Sequence, residues 1–139
     1  MADKKPLFEF TAKRATFRIA DTKPPMEEVS VTGRGRFKGE EFVTLYTVKV
    51  RSGGDDPEDR ISGPGIMTLD EGRGRAAYRI RGGALGGPKF SEVVSGTIVF
   101  GSDCTGKLKE LRNLKTYFET AVDPKGDSRT KVWRIRPPR

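Results

Sequence analysis

The residues with the most chemistry to offer lie on a strand-like run over positions 89–100. There Phe90, Glu92, Val94, Gly96, Ile98 and Phe100 fall on one face by simple alternation. A carboxylate held among apolar side chains loses hydration, its pKa rises, and it becomes a general acid or base near neutral pH. Glu92 is therefore the first catalytic candidate, and at a solvated rim the same residue would be an ordinary carboxylate. Tyr78, Tyr46 and Tyr117 offer phenol hydroxyls that can orient a ligand or donate to it, or stand as core rings with the hydroxyl at the rim. Tyr78 joins Glu92 as a catalytic candidate; Tyr46, Tyr117, Phe90 and Trp133 are ligand-binding candidates, with Trp133 a plug or lid for a cavity. Glu119 shares the alternation of Tyr117 and Ala121 and is a secondary carboxylate, with solvent exposure its plainer role.

A second chemistry is written in two tetrads, Gly33-Arg34-Gly35-Arg36 and Gly72-Arg73-Gly74-Arg75, each opening into alternating apolar and polar or basic residues. Arg34 and Arg36, with Arg73, Arg75, Arg79 and Arg81, would form basic faces able to hold nucleic acid or another anion. The in-phase residues Phe37 after the first tetrad, and Ala76, Tyr78 and Ile80 after the second, argue for strands with one buried face rather than for a low-complexity tail. Cys104 is the lone cysteine, and the Gly82-Gly83 and Gly86-Gly87 pairs lack the Lys-Ser/Thr and strand-to-helix setting of a phosphate loop, so neither is assigned a role.

Composition narrows the chemistry further. The 139 residues suit one domain, residues 1–139, with 1–6 as a disordered lead-in. Zero histidines remove His-dependent triads, His-ligated zinc and haem on a proximal His, and a single cysteine allows no internal disulfide. No cofactor or metal is expected. The 27 Lys+Arg against 19 Asp+Glu leave a charge of +8, which favours polyanions in general without selecting one. No apolar run is long enough to span a bilayer and the N-terminus lacks the apolar region of a signal peptide, so a soluble, cytoplasmic protein without membrane partners is expected. Homo-oligomerisation stays open.

These residues need strands to position them. Residues 7–19 alternate Phe8, Phe10 and Ala12 against Glu9, Thr11 and Lys13, with a bend near Lys13-Arg14; residues 20–25 form a loop. Val29, Val31, Gly33, Gly35 and Phe37 share one face, and Gly39-Glu40 turns the chain into the β-branched run 42–50, the clearest hairpin. Residues 52–59 are a long polar turn, 65–69 a shorter strand, and 82–88 a glycine-rich linker. Leu108, Leu111, Leu114 and Phe118 change to helical spacing, predicting a short helical segment near residues 105–114. Asp123-Pro124-Lys125-Gly126 turns into a last strand, 130–135. About eight strands in an antiparallel meander are expected to close into an all-β, up-and-down barrel, because closure removes the exposed edges.

The stretch Thr105-Gly106-Lys107-Leu108 with Asn113-Leu114, then Phe118-Glu119 and Lys131-Val132-Trp133, resembles a group of small bacterial and archaeal single-domain proteins. Gly33-x-Gly35-x-Phe37-x-Gly39 and Phe42-Val43-Thr44-Leu45-Tyr46 share that pattern, and in layout the chain is similar to the calycin-like barrels of the allene oxide cyclase type. That resemblance implies a barrel binding a small apolar molecule, with isomerase or cyclase activity needing no cofactor, and it transfers no catalytic residue. The alternative is a non-catalytic module that holds nucleic acid or another anion on its arginine face.

Overall fold

The computed structural model describes residues 5–23, 25–51, 61–69, 72–84 and 92–135, without the side chains of residues 14–17, 25, 84 and 92. Eight antiparallel strands run in chain order: β1 (Phe8–Thr22), β2 (Pro25–Phe37), β3 (Glu40–Arg51), β4 (Ile61–Leu69), β5 (Gly74–Ala84), β6 (Glu92–Gly106), β7 (Lys115–Val122) and β8 (Asp127–Arg134). Each pairs with its sequence neighbours and β1 pairs with β8, from Phe8 opposite Val132 to Lys13 opposite Asp127, closing the barrel. The expected all-β meander is thus present, and the edges it would otherwise leave are gone.

Alternation sets the inside and the outside. Phe8, Phe10 and Ala12 on β1, Val31 and Phe37 on β2, and Ala76, Tyr78 and Ile80 on β5 are buried, while Arg34, Arg36, Arg75, Arg79 and Arg81 are exposed. Both tetrads therefore place arginine outside. Gly35 is glycine for a steric reason: a Cβ there would lie 2.2 Å from the Glu9 carbonyl oxygen and 2.8 Å from Cβ of Phe10. The register shift between Arg14 and Thr16 supplies the expected bend, after which β1 leaves β8 and continues paired with β2 alone. At the far end of the first hairpin, Lys38 (φ 50°) and Gly39 (φ 82°) make the two-residue turn with positive φ at both positions that matches strand twist.

Three local expectations are corrected. β1 runs to Thr22 and β2 begins at Pro25, so the loop expected over 20–25 is shorter; Pro25, as first residue of its strand, has no ladder bond to lose. β4 starts at Ile61 because Gly63 lets its backbone sit against the Thr47 carbonyl, where a Cβ would stand only 1.9 Å away. Gly82 and Gly83 belong to β5, with Gly82 directly opposite Gly96, rather than to a linker. The short helical segment expected near residues 105–114 is present as one 3-10 turn, Lys109–Leu111, after β6 ends at Gly106.

That turn closes one end of the barrel. Leu108 and Leu111 are fully buried at three-residue spacing, and the Leu111 N–H donates to the Leu108 carbonyl. They plug the end that Trp133 had been expected to cover. Beneath them Phe8, Phe37, Phe42 and Phe100 meet mostly edge to face, with Phe8 and Phe42 centroids 5.5 Å apart. Outside, Glu40 accepts from Lys107 Nζ and from Arg73, and Lys38 pairs with Glu110 at 2.7 Å, tying the β2–β3 turn to the plug. The two cations hold the Glu40 carboxyl below its ordinary pKa, with the Lys107 hydrogen bond as the main cause. This half of the barrel is solid.

Candidate ligand cavity

The other half is hollow. Toward the end carrying the β1–β2 and β7–β8 connections, a cavity of about 290 Å³ opens between the strands, lined mainly by valines, isoleucines and two phenylalanines. Val29, Val31, Val48, Val50, Ile61, Ile80, Val94 and Ile98 form most of the wall, and Phe10 and Phe118 stand at its inner edge. Branched aliphatics suit this place because each fills little of the lumen while still supporting a strand.

Polar groups gather on one side. Thr120 on β7 and Ser128 and Thr130 on β8 face the cavity, and Tyr46 reaches it from β3. The Thr120 and Thr130 hydroxyls bond to each other at 2.7 Å. Burial pushes the Tyr46 phenol up to about 12, partly offset by a hydrogen bond with the Ser128 side chain. Tyr46 thus stays protonated at neutral pH and serves as a hydrogen-bond donor, not as a base.

The raised value has a measurable consequence for stability. Unfolded tyrosine ionises near 10, so below that pH folded and unfolded states hold the same proton and the contribution is fully present. Between about 10 and 12 only the folded state retains it, and stability falls by about 2–3 kcal/mol over that window. Urea titrations at pH 9 and pH 11.5 are expected to show this loss, reduced in Tyr46→Phe.

Tyr78 lies deeper and does not line the cavity. Its ring stands over Gly65, its cross-strand partner, and the hydroxyl bonds to Thr44 Oγ1, which donates in turn to the Ile66 carbonyl at 3.2 Å. Burial raises its pKa as well. The hydroxyl chain ends on backbone, so the Tyr78 proton is used within the packed half.

Tyr117 and Trp133 do not line the cavity. They face each other across β7 and β8 on the outer surface, ring centroids 5.8 Å apart, and the Tyr117 hydroxyl donates to Glu119 at 3.0 Å. Glu119 is exposed, as its plainer role required. Phe90 lies outside the described residues. Glu92 begins β6 opposite Val122, which lines the cavity, but its side chain is outside the described ones. Cys104 is fully buried, its thiol donating to the Gly101 carbonyl and raised in pKa chiefly by burial, the setting of an inert cysteine.

Ser128, Thr120 and Thr130 were not singled out from the sequence, although Thr130 and Val132 share the alternation that buries β8. Among the described residues no cluster of three His, Cys, Asp or Glu side chains forms a metal site. No helix among them is long and apolar enough to cross a membrane. A larger groove of about 850 Å³ lies open to solvent beside β1, β2 and the β7–β8 turn, bordered by Lys13, Arg34, Asp123, Asp127 and Arg129. Comparison with protein-family models, curated proteins and solved structures finds no match to this chain. The chain is a small eight-stranded antiparallel β-barrel with one packed and one hollow half.

Proposed function

We propose that this protein is a cytoplasmic barrel that binds a small apolar molecule in its hollow half. The observation that carries this is the cavity itself: aliphatic over most of its wall, with a few hydroxyls grouped on one side, at the lower end of the roughly 300–1,000 Å³ typical of ligand pockets. A side-chain-filled barrel would instead continue the phenylalanine packing seen beneath the plug. In line with the allene oxide cyclase-like layout, we further propose cofactor-free isomerase or cyclase chemistry. The aliphatic wall would hold a flexible substrate in a compact conformer and Tyr46 would donate to an oxygen as charge develops on it. The rate gain would come from orientation and hydrogen bonding alone.

Native mass spectrometry of protein purified without detergent tests the binding. A co-purified neutral molecule released on unfolding is the expected result; a barrel that takes up no member of a small apolar library overturns the proposal.

A specific observation favours a second function, on the outside. Arg34, Val43, Thr68 and Arg75 lie in one register row across β2, β3, β4 and β5, placing arginines on both flanks of a face that exposes Leu45 and Ile66. Such a face suits a polyanion. Affinity for a single-stranded oligonucleotide is then expected to fall linearly with log salt, with a slope of about −0.7 per phosphate neutralised. The Arg34→Glu, Arg75→Glu double variant should flatten that slope by at least one phosphate equivalent in a fluorescence-anisotropy titration. An unchanged slope removes this function.

A further inference from the structure

The hydroxyls of the barrel interior fall into two kinds, and the difference specifies the ligand that the proposed binding function would accept. In the packed half, hydroxyls end on backbone: Thr116 Oγ1 donates to the Ile98 carbonyl at 2.7 Å, and Tyr78 feeds Thr44, which donates to the Ile66 carbonyl. Each proton there is used. In the hollow half, the Thr120 and Thr130 hydroxyls bond to each other, and those of Tyr46 and Ser128 share the cavity wall. Two hydroxyls carry two protons and their mutual bond uses one. Neither pair has a further acceptor among the described residues, so each pair keeps a proton to donate. A donor left unpaired in an apolar cavity is unfavourable, and a ligand acceptor would satisfy it.

Charge on the wall points the same way. The chain carries 27 lysines and arginines, yet none of the described residues lining the cavity is basic. Its one described ionisable carboxyl is Glu27, opposite Val50 and Ile19 toward the mouth. Among the described residues an anionic head would meet no counter-charge and one like charge. Size supplies the third limit, since a cavity of about 150 Å³ accommodates benzene, so about 290 Å³ takes a skeleton of roughly ten carbons.

We infer that the cavity selects a compact, uncharged molecule of about ten carbons bearing a hydrogen-bond-accepting oxygen, a carbonyl or ether, which lies against the Tyr46, Thr120, Ser128 and Thr130 hydroxyls. This rests on the cavity being a binding site, and the test separates the two claims.

Methyl-labelled protein is titrated with camphor, a ten-carbon bicyclic ketone, with bornane, its parent hydrocarbon, and with decanoate, following the methyl resonances of Ile61, Ile80 and Ile98. Camphor is expected to shift these methyls and bind about 5- to 10-fold more tightly than bornane, the gain of about one net hydrogen bond. In Ser128→Ala, and separately in Tyr46→Phe, that preference should shrink while bornane binding persists. Equal binding of camphor and bornane overturns the oxygen-accepting class but leaves the cavity a binding site. Tightest binding by decanoate overturns the uncharged class. No shift with any of the three overturns the cavity reading and this inference together.

Discussion

Replacing Phe42 by alanine is expected to destabilise the protein by about 3–5 kcal/mol, the range for removing a buried phenylalanine ring. Phe42 is 1% exposed and meets Phe8 at 5.5 Å and Phe10 at 6.2 Å between ring centroids, linking the plug to the floor of the cavity. Its neighbours cannot collapse into the space. Phe8 and Phe10 are fixed in a strand that pairs on both sides, and the opposing Gly35 has no side chain to contribute. For a chain of this length the loss corresponds to a fall in Tm of roughly 10–20 °C. The void should also admit benzene, so millimolar benzene is expected to return part of the Tm in this variant and little in the parent. Differential scanning fluorimetry with and without benzene reads both; a drop under 5 °C would mean that the aromatic cluster repacks freely.

Much of the fold was legible because closure of the barrel enforces alternation on every strand. The glycine and arginine tetrads, the Phe8-Phe10-Ala12 face and the bend near Lys13-Arg14 all follow from residue parity. Parity failed where spacing admitted two answers. Leu108 and Leu111 do sit three residues apart as in a helix, but the space at the barrel end fits only one 3-10 turn, and β6 reaches Gly106 before it. Gly82 reads as a linker residue along the chain because the backbone contact that demands glycine there, with the Ser95 carbonyl, is made across strands.

The site was less legible for the same reason. Tyr46 and Ser128 are 82 positions apart and meet only because β1 closes on β8. Tyr117 and Trp133 drew attention by size, whereas the smaller neighbours Thr116, Phe118 and Val132 carry the parity that faces inward. Aromatic mass was a poorer guide than register.

Replacing Val48 by phenylalanine should separate binding from folding. Val48 is buried, lines the cavity and sits opposite Val29 in the wall of the hollow half. In a packed core the added ring would force neighbours aside and cost about 1–3 kcal/mol. Here it has about 290 Å³ to enter, bordered by aliphatic side chains, so it buries apolar surface without displacing any. The expected Tm is unchanged or a few degrees higher. Ligand affinity moves the other way: the ring occupies the volume that a ten-carbon guest needs, and an overlap of about 1–3 kcal/mol weakens binding roughly 10- to 100-fold. Calorimetry with camphor and a thermal melt of the same preparation give both numbers. A fall in Tm would show that the hollow half closes up in solution. Unchanged affinity with a raised Tm would move the guest out of the lumen, to the open groove beside Lys13, Arg34 and Arg129, where the Thr120 and Thr130 hydroxyls have no part in selecting it.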